Sequence, residues 1–214
     1  MLALTALAAV VAAAVVLVVA LSGSSGSSSS ASTSVSAGAE SAFQGAPFPA
    51  GIGAPDFTLR DQYGDRVSLS EYRGRVVLLT FLYSTCGDTC IVIAEQIRGA
   101  LDELGEAHAR LPAVLIVSAD PTADSPAHIR RFLGEVSLSG RAQYLTGSLA
   151  QLRSVWQAYA IKPASVGASR FDEYAPVLLL GPSGHKRVLF ESEELTPEGL
   201  SHDVRTLAAD PTHP

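Results

Sequence analysis

The feature that most constrains this chain is an apolar run that ends just before its only two cysteines. Residues 75–83 are mostly Val, Leu and aromatic side chains. Such a continuous run predicts the central strand of a sheet that is covered on both faces. Cys86 and Cys90 follow at its carboxyl end, where a helical pattern begins. Their spacing puts both thiols on one face of a first helical turn, close enough to form a disulfide or to hold one soft metal ion.

The rest of the chain alternates between strand and helix patterns. Residues 55–60 and 66–69 predict a small hairpin before the central strand. After the cysteines we expect a helix up to Gly105, a strand at 112–118, a helix at 125–133, a strand at 142–145, a helix at 148–159, a hairpin of strands 177–180 and 187–190, and a helix at 197–207. This order predicts an α/β fold of the thioredoxin type, with a central mixed sheet flanked by helices. In such a sheet a redox pair belongs at the carboxyl end of a central strand.

The N-terminal part of the chain has two segments of different composition. Residues 1–21 carry no charge, and at ~1.5 Å per residue they can cross the ~30 Å core of a bilayer. We predict a single-pass membrane anchor here, with a cleaved signal peptide as the alternative. Residues 22–50 are rich in Ser, Gly and Ala with one charge at Glu40, a composition that predicts a flexible linker. Residues 51–214 then form one domain.

The charge balance excludes two classes of partner. The net charge is −6, and Lys162 and Lys186 are the only lysines. No basic stripe is therefore available for nucleic acid or for anionic lipid. We expect the domain to act as a monomer.

The cysteine pair has a functional and a structural interpretation. A sulfur at a helix N-terminus is stabilised as a reactive thiolate by unpaired amides and the helix dipole. The alternative is a buried structural disulfide, or two inert core thiols. Because closing so small a loop stabilises a fold little, we favour the functional interpretation. Cys86 would then attack a partner disulfide, and Cys90 would resolve the mixed intermediate.

The residues around the pair resemble the Sco/SenC family, which carries a Cys-Pro-Asp-x-Cys pair after an aromatic strand. Here the segment reads Tyr83-Ser84-Thr85-Cys86-Gly87-Asp88-Thr89-Cys90. The likeness spans about residues 51–190 and includes Asp61–Gly64, Leu69–Leu79, Val117–Pro121 with Ser125-Pro126, and Leu145–Ser148. The resemblance implies a membrane-anchored thioredoxin-fold protein that binds copper and helps to assemble the copper site of cytochrome oxidase, or that acts there as a thiol-disulfide reductase.

The resemblance also implies a set of copper ligands, which this chain only partly provides. In the family both cysteines and a downstream histidine hold copper, so Cys86 and Cys90 are the expected ligands here. An ungapped alignment on Gly181-Pro182-Ser183-Gly184 puts Glu173 at the histidine position. A carboxylate suits Cu(I) poorly, so the three-ligand site is incomplete. The chain's histidines are more typical of surface residues; they are His108, His128, His185, His202 and His213.

Pro176 is the third candidate site residue. The segment Ala175–Leu180 is similar to the active-site proline segment of thioredoxin, in which the proline is cis and faces the disulfide. A cis Pro176 would shape a groove that admits a substrate peptide and keeps a metal off the sulfurs. The alternative is a trans proline at the start of a strand.

Three functions follow from these residues. The first is copper handling, in which Cys86 and Cys90 accept copper and pass it to a cytochrome oxidase subunit. The second is a thiol-disulfide oxidoreductase that keeps the cysteines of another thiol protein reduced. A thiol peroxidase is the weakest, because the Pro-x-x-x-Thr-x-x-Cys arrangement is absent. The first two require a domain on the extracytoplasmic side of the membrane.

Overall fold

The computed structural model describes residues 42–162 and 175–209, which contain a six-stranded mixed sheet and a separate two-stranded hairpin. In chain order the strands are β1 (Ala46–Pro47), β2 (Thr58–Arg60), β3 (Arg66–Ser68), β4 (Val77–Leu82), β5 (Ala113–Ser118), β6 (Gln143–Leu145), β7 (Val177–Leu180) and β8 (Lys186–Phe190). The α-helices are α1 (Asp88–Glu106), α2 (Pro126–Glu135), α3 (Leu149–Ala158) and α4 (Pro197–Ala209). A short 3₁₀ helix covers Leu69–Tyr72. The predicted α/β fold with a mixed sheet flanked by helices is confirmed.

The apolar run lies in the middle of the main sheet. The strand order is β1-β8-β7-β4-β5-β6. β4 pairs in parallel with β5 and antiparallel with β7. Every residue of β4 and β5 is buried, which explains why both segments read as continuous apolar runs rather than as alternating ones. The prediction of a central strand covered on both faces is confirmed.

Two of the helices begin at serines whose side chains cap them. The Ser125 hydroxyl accepts the His128 backbone N–H at 3.2 Å and so caps α2. Ser148 caps α3 in the same way, with the Gln151 N–H at 3.3 Å. α1 packs against α4, and its buried residues recur at helical spacing: Cys90, Ile93, Ala94, Ile97, Ala100, Leu101 and Leu104.

The two predicted hairpins are present, but they occupy different sheets. β7 and β8 turn at Gly184, whose φ of +76° is a conformation that favours glycine. The β2–β3 hairpin forms its own small sheet. It meets the end of β6 through Arg60 and Thr146, whose backbone groups exchange hydrogen bonds of 2.9 and 2.6 Å.

Residues 44–47, which we call the N-terminal strap, correct the predicted linker boundary at residue 50. Within the strap, β1 pairs antiparallel with β8. The N–H groups of Gln44 and Gly45 donate to the buried carboxylate of Asp203 in α4, at distances between 2.9 and 3.1 Å. Composition alone does not reveal this partner, because it lies more than a hundred residues further along the chain. The domain therefore begins before residue 51.

Among the described residues, no helix has both the length and the apolar character needed to cross a bilayer. The predicted span, residues 1–21, and residues 22–41 of the predicted linker lie outside the described residues.

Candidate functional site

The cysteine pair lies at the carboxyl end of the central strand. β4 ends at Leu82, and α1 begins at Asp88 after a short turn, residues 83–87. Cys86 is in this turn, and Cys90 is in the first turn of α1. The two residues form a disulfide, with Cα atoms 5.8 Å apart. The predicted position and proximity of the pair are confirmed.

The two cysteines differ in their access to solvent. Cys86 retains 7% of its surface exposed, whereas Cys90 is fully buried. A thiolate or reductant that attacks the disulfide must therefore approach Cys86, leaving Cys90 as the departing sulfur. The roles of an attacking Cys86 and a resolving Cys90 stay a prediction.

The start of α1 shapes the surface around the pair. Gly87 occupies the N-cap and provides no side-chain cap. Asp88 is the acidic residue of the first turn, where its charge complements the helix dipole. Ile91 and Val92 follow Cys90 and are 37% and 46% exposed. The first two turns of α1 therefore carry two partly exposed apolar side chains.

A buried carboxylate holds the turn that carries Cys86. Asp124 Oδ1 accepts the Ser84 backbone N–H at 2.6 Å. Its Oδ2 accepts the hydroxyls of Ser118 at 2.6 Å and of Tyr144 at 2.8 Å. Burial raises the pKa of the Asp124 carboxyl, and the hydrogen bonds from Ser118 and Ser84 oppose that rise. The carboxylate thus joins segments at the ends of β4, β5 and β6.

The segment after β5 is folded so that Asp124 turns inward. The Asp120 carboxylate accepts the N–H and hydroxyl of Thr122 at 2.9 and 2.6 Å. The Asp120 carbonyl accepts the N–H groups of Ala123 and Asp124 at 3.2 and 3.1 Å. The Trp156 indole N–H donates to the Ser118 carbonyl at 2.9 Å and ties α3 to the same segment. Sequence reasoning found this segment only as part of a resemblance and missed the role of Asp124.

Pro176 lies at the same end of the sheet as the cysteine pair. It directly precedes β7, and its carbonyl accepts the Thr80 hydroxyl at 2.9 Å. The cis alternative is wrong: within residues 42–162 and 175–209 all peptide bonds are trans. A trans proline suits this position because the trans form is preferred and the residue lies just before the strand, where no ladder donor is required of it.

Copper ligands beyond the cysteines do not assemble in the described part of the chain. No third His, Cys, Asp or Glu joins the pair there to make a group that could hold a metal. The described histidines make local contacts or are exposed: His128 with the Ala123 carbonyl, His185 with Ser183, His202 with Asp203, and His108 at the surface. Glu173 and His213 lie outside the described residues. Reduction of the disulfide would supply two thiolates, which are soft ligands that suit Cu(I).

Comparisons with known proteins find relatives of this chain among the SCO proteins. "Protein SCO2 homolog, mitochondrial" of Bos taurus is 30% identical over 142 residues, which are 63% of this chain and 52% of that protein. The chain spans about half the length of the mitochondrial SCO2 homologues that it matches.

Two solved structures share the fold. The structure of BsSco, described as a member of the Sco family of cytochrome c oxidase assembly proteins, has a TM-score of 0.64 at 22% identity and covers 75% of this chain and 96% of that one. Bradyrhizobium japonicum ScoI with copper bound has a TM-score of 0.56 at 25% identity, with coverage of 73% and 99%. The family model described as SCO1/SenC matches residues 47–209, which include the cysteine pair and the segment around Asp124. The chain belongs to the SCO1/SenC family.

Proposed function

We propose that this protein handles copper and thiol redox chemistry in the assembly of cytochrome c oxidase, through Cys86 and Cys90. The observation that carries the proposal is the close cysteine pair at the carboxyl end of β4, with Cα atoms 5.8 Å apart, in a domain of the SCO1/SenC family. The relatives described as copper-bound ScoI and as an oxidase assembly protein support it.

In the copper reaction the cargo is Cu(I), and the reduced pair accepts it. Both thiols lose their protons on binding, so that two thiolates hold the ion. Within the described residues no histidine joins them. Two thiolates without a third protein ligand hold the ion less firmly than a complete site, which favours release to an acceptor. A group of the acceptor is the candidate for the third ligand, since the carboxylate of Glu173 suits Cu(I) poorly.

A thiol-disulfide oxidoreductase is the second candidate, and the difference in exposure between Cys86 and Cys90 favours it. The Cys86 thiolate attacks a partner disulfide, whose S–S bond breaks to release one partner thiolate. The Cys90 thiolate then attacks Cys86, forms the intramolecular disulfide and releases the second partner thiolate. Two electrons pass to the partner, and this chain ends in the oxidised state that the structure shows.

Both reactions are proposed to occur outside the cytoplasm, with residues 1–21 as a single-pass anchor. The apolar, uncharged composition of that segment supports an anchor. An oxidising compartment supports the cycle of the pair, because cytosolic thiols are kept reduced. The proposed partner is the copper-site subunit of cytochrome oxidase or another thiol protein.

The test is Cu(I) binding by the reduced full-length protein in competition with a chelator. We expect the parent to bind one Cu(I), and Cys86→Ser to weaken binding by more than about 100-fold, since even outer-shell partners of metal sites are worth about 10–100-fold. Glu173→His tests the missing histidine, and Glu173→Gln is its matched control. If the parent does not bind and Glu173→His alone restores binding, the copper function is wrong for this chain and the thiol reaction remains.

A further inference from the structure

Three successive contacts of backbone groups lead from the sheet to Cys86. The ladder between β4 and β5 ends where Leu82 lies opposite Ser118. Two residues later the Ser84 N–H donates to the Asp124 carboxylate. The Cys86 N–H then donates to the Tyr83 carbonyl within the turn, at 3.1 Å. Asp124 therefore holds the backbone between the last paired residue of β4 and Cys86.

The two sulfurs depend on different supports. Cys90 is fully buried in α1, a helix that packs against α4. Cys86 lies in the turn before the helix, and Gly87 beside it has no side chain to pack. The distance from Cys86 to Cys90 therefore depends on how firmly the turn is held.

The Asp124 carboxylate is suited to hold that turn. Its own exposure is 7%, and both oxygens are used, one by the Ser84 amide and the other by the hydroxyls of Ser118 and Tyr144. Hydrogen bonds to a charged acceptor are roughly twice as strong as hydrogen bonds between neutral groups. The hydroxyls orient the carboxylate, and the carboxylate orients the turn.

We propose that Asp124 is the positioning residue of the cysteine pair, and that it sets the equilibrium between the disulfide and the dithiol by fixing where Cys86 lies relative to Cys90. The inference rests on the proposed function in taking Cys86 and Cys90 as the working pair. An intramolecular disulfide forms in proportion to the effective concentration of one thiol near the other. Loss of the Asp124 contact lowers that concentration, so the disulfide becomes easier to reduce.

The reaction that reports this equilibrium is exchange with dithiothreitol. The Cys86–Cys90 bond breaks, and the reagent closes into its cyclic disulfide. Two electrons and two protons pass from the reagent to the two cysteine sulfurs, so the exchange is balanced without any other reactant. The equilibrium constant is measured on the full-length protein by trapping free thiols across a series of dithiothreitol ratios.

The variants are graded by how much of the contact they remove. Asp124→Ala removes the acceptor, and we expect the constant for reduction to rise at least tenfold, which is about 30 mV for a two-electron couple. Asp124→Asn keeps an oxygen for the Ser84 amide but loses the charge, and Tyr144→Phe removes one orienting hydroxyl. Asp124→Asn and Tyr144→Phe should each raise the constant for reduction by a smaller factor than Asp124→Ala does. Asp203→Asn is the matched control, because this buried carboxylate accepts hydrogen bonds from Gln44 and Gly45 and from none of the groups that Asp124 holds. It should change the constant by less than about twofold, since the two carboxylates share no partner.

The inference is overturned if Asp124→Ala and Asp124→Asn leave the constant unchanged, or if Asp203→Asn shifts it equally. Should Asp124→Ala fail to fold, Asp124→Asn and Tyr144→Phe decide the question. The constant is a property of this chain alone, so it is measurable even if the parent binds no copper. Failure of the proposed function would appear as absent copper binding, and failure of this inference as unchanged constants.

Discussion

Two buried aspartates serve two different regions of the domain. Asp124 is 7% exposed and Asp203 is fully buried, and each accepts several hydrogen bonds. Asp203 accepts backbone N–H groups of Gln44 and Gly45, and so closes the N-terminal strap against α4. Asp124 accepts one backbone N–H and two hydroxyls, and so holds the turn before Cys86.

The difference lies in what each carboxylate holds. Both satisfy the requirement that a buried charge be fully hydrogen-bonded. Burial and satisfaction alone therefore do not distinguish a structural acid from one that serves a site. The two carboxylates are distinguished by the segment that each one holds, which is the N-terminal strap for Asp203 and the turn that contains Cys86 for Asp124.

The largest expected effect is on stability, at the strap. Asp203→Ala leaves the Gln44 and Gly45 amides without their acceptor, and we expect a loss of about 3 kcal/mol in the free energy of unfolding. The equilibrium constant of the disulfide should not change. Urea unfolding measures the loss, and Asp203→Asn, which keeps an acceptor oxygen, should lose less. An unchanged stability for Asp203→Ala would show that the strap is not part of the folded domain.

The next effect concerns the disulfide itself. The bridge joins residues with a sequence separation of 4, so the chain-entropy account gives it only about 2 kcal/mol of stabilisation. We expect the reduced protein to stay folded, as a working dithiol must. Urea unfolding with and without a phosphine reductant measures this. The Cys86→Ser, Cys90→Ser double variant is the control and should not respond to the reductant. Unfolding on reduction would instead identify the pair as a structural staple.

The smallest expected effect is a dependence of the free energy of unfolding on pH, which arises from the Asp124 carboxyl. Burial raises the folded-state pKa of the Asp124 carboxyl above its unfolded value, so the folded state binds the proton more tightly. This contribution to stability is fully present below about pH 3.9, the pKa of a free Asp, and is lost as pH rises through the folded-state pKa. The unfolding free energy of the parent, relative to Asp124→Asn, should therefore fall as pH rises.

Urea unfolding at a series of pH values measures that difference. Asp102→Asn is a useful control of opposite sign, because hydrogen bonding to Arg141 lowers the pKa of the Asp102 carboxyl. Its contribution is present above the unfolded pKa and is lost as pH falls through the lowered one. If the unfolding free energy of the parent relative to Asp124→Asn rose with pH, burial would not be the dominant influence on the pKa of the Asp124 carboxyl.

Local patterns predicted the elements and the position of the pair. The run at residues 75–83 predicted β4 because a strand buried on both faces is apolar along most of its length rather than at alternate positions. The helical patterns at residues 125–133 and 148–159 predicted α2 and α3, because the spacing of apolar residues along a helix is a local signal. The proximity of Cys86 and Cys90 was predicted because residues four apart lie on the same face of one helical turn.

Contacts between distant segments were decided only by the tertiary structure. Ser84, Asp124 and Tyr144 meet because parallel strands bring their carboxyl ends to one edge of the sheet. The N-terminal strap was predicted as linker because its composition is that of a flexible chain, whereas its order comes from β8 and Asp203. The sequence by itself determined where the cysteine pair lies along the chain. The tertiary structure decided which groups hold the turn that carries Cys86, since hydrogen bonds between remote residues leave no local pattern.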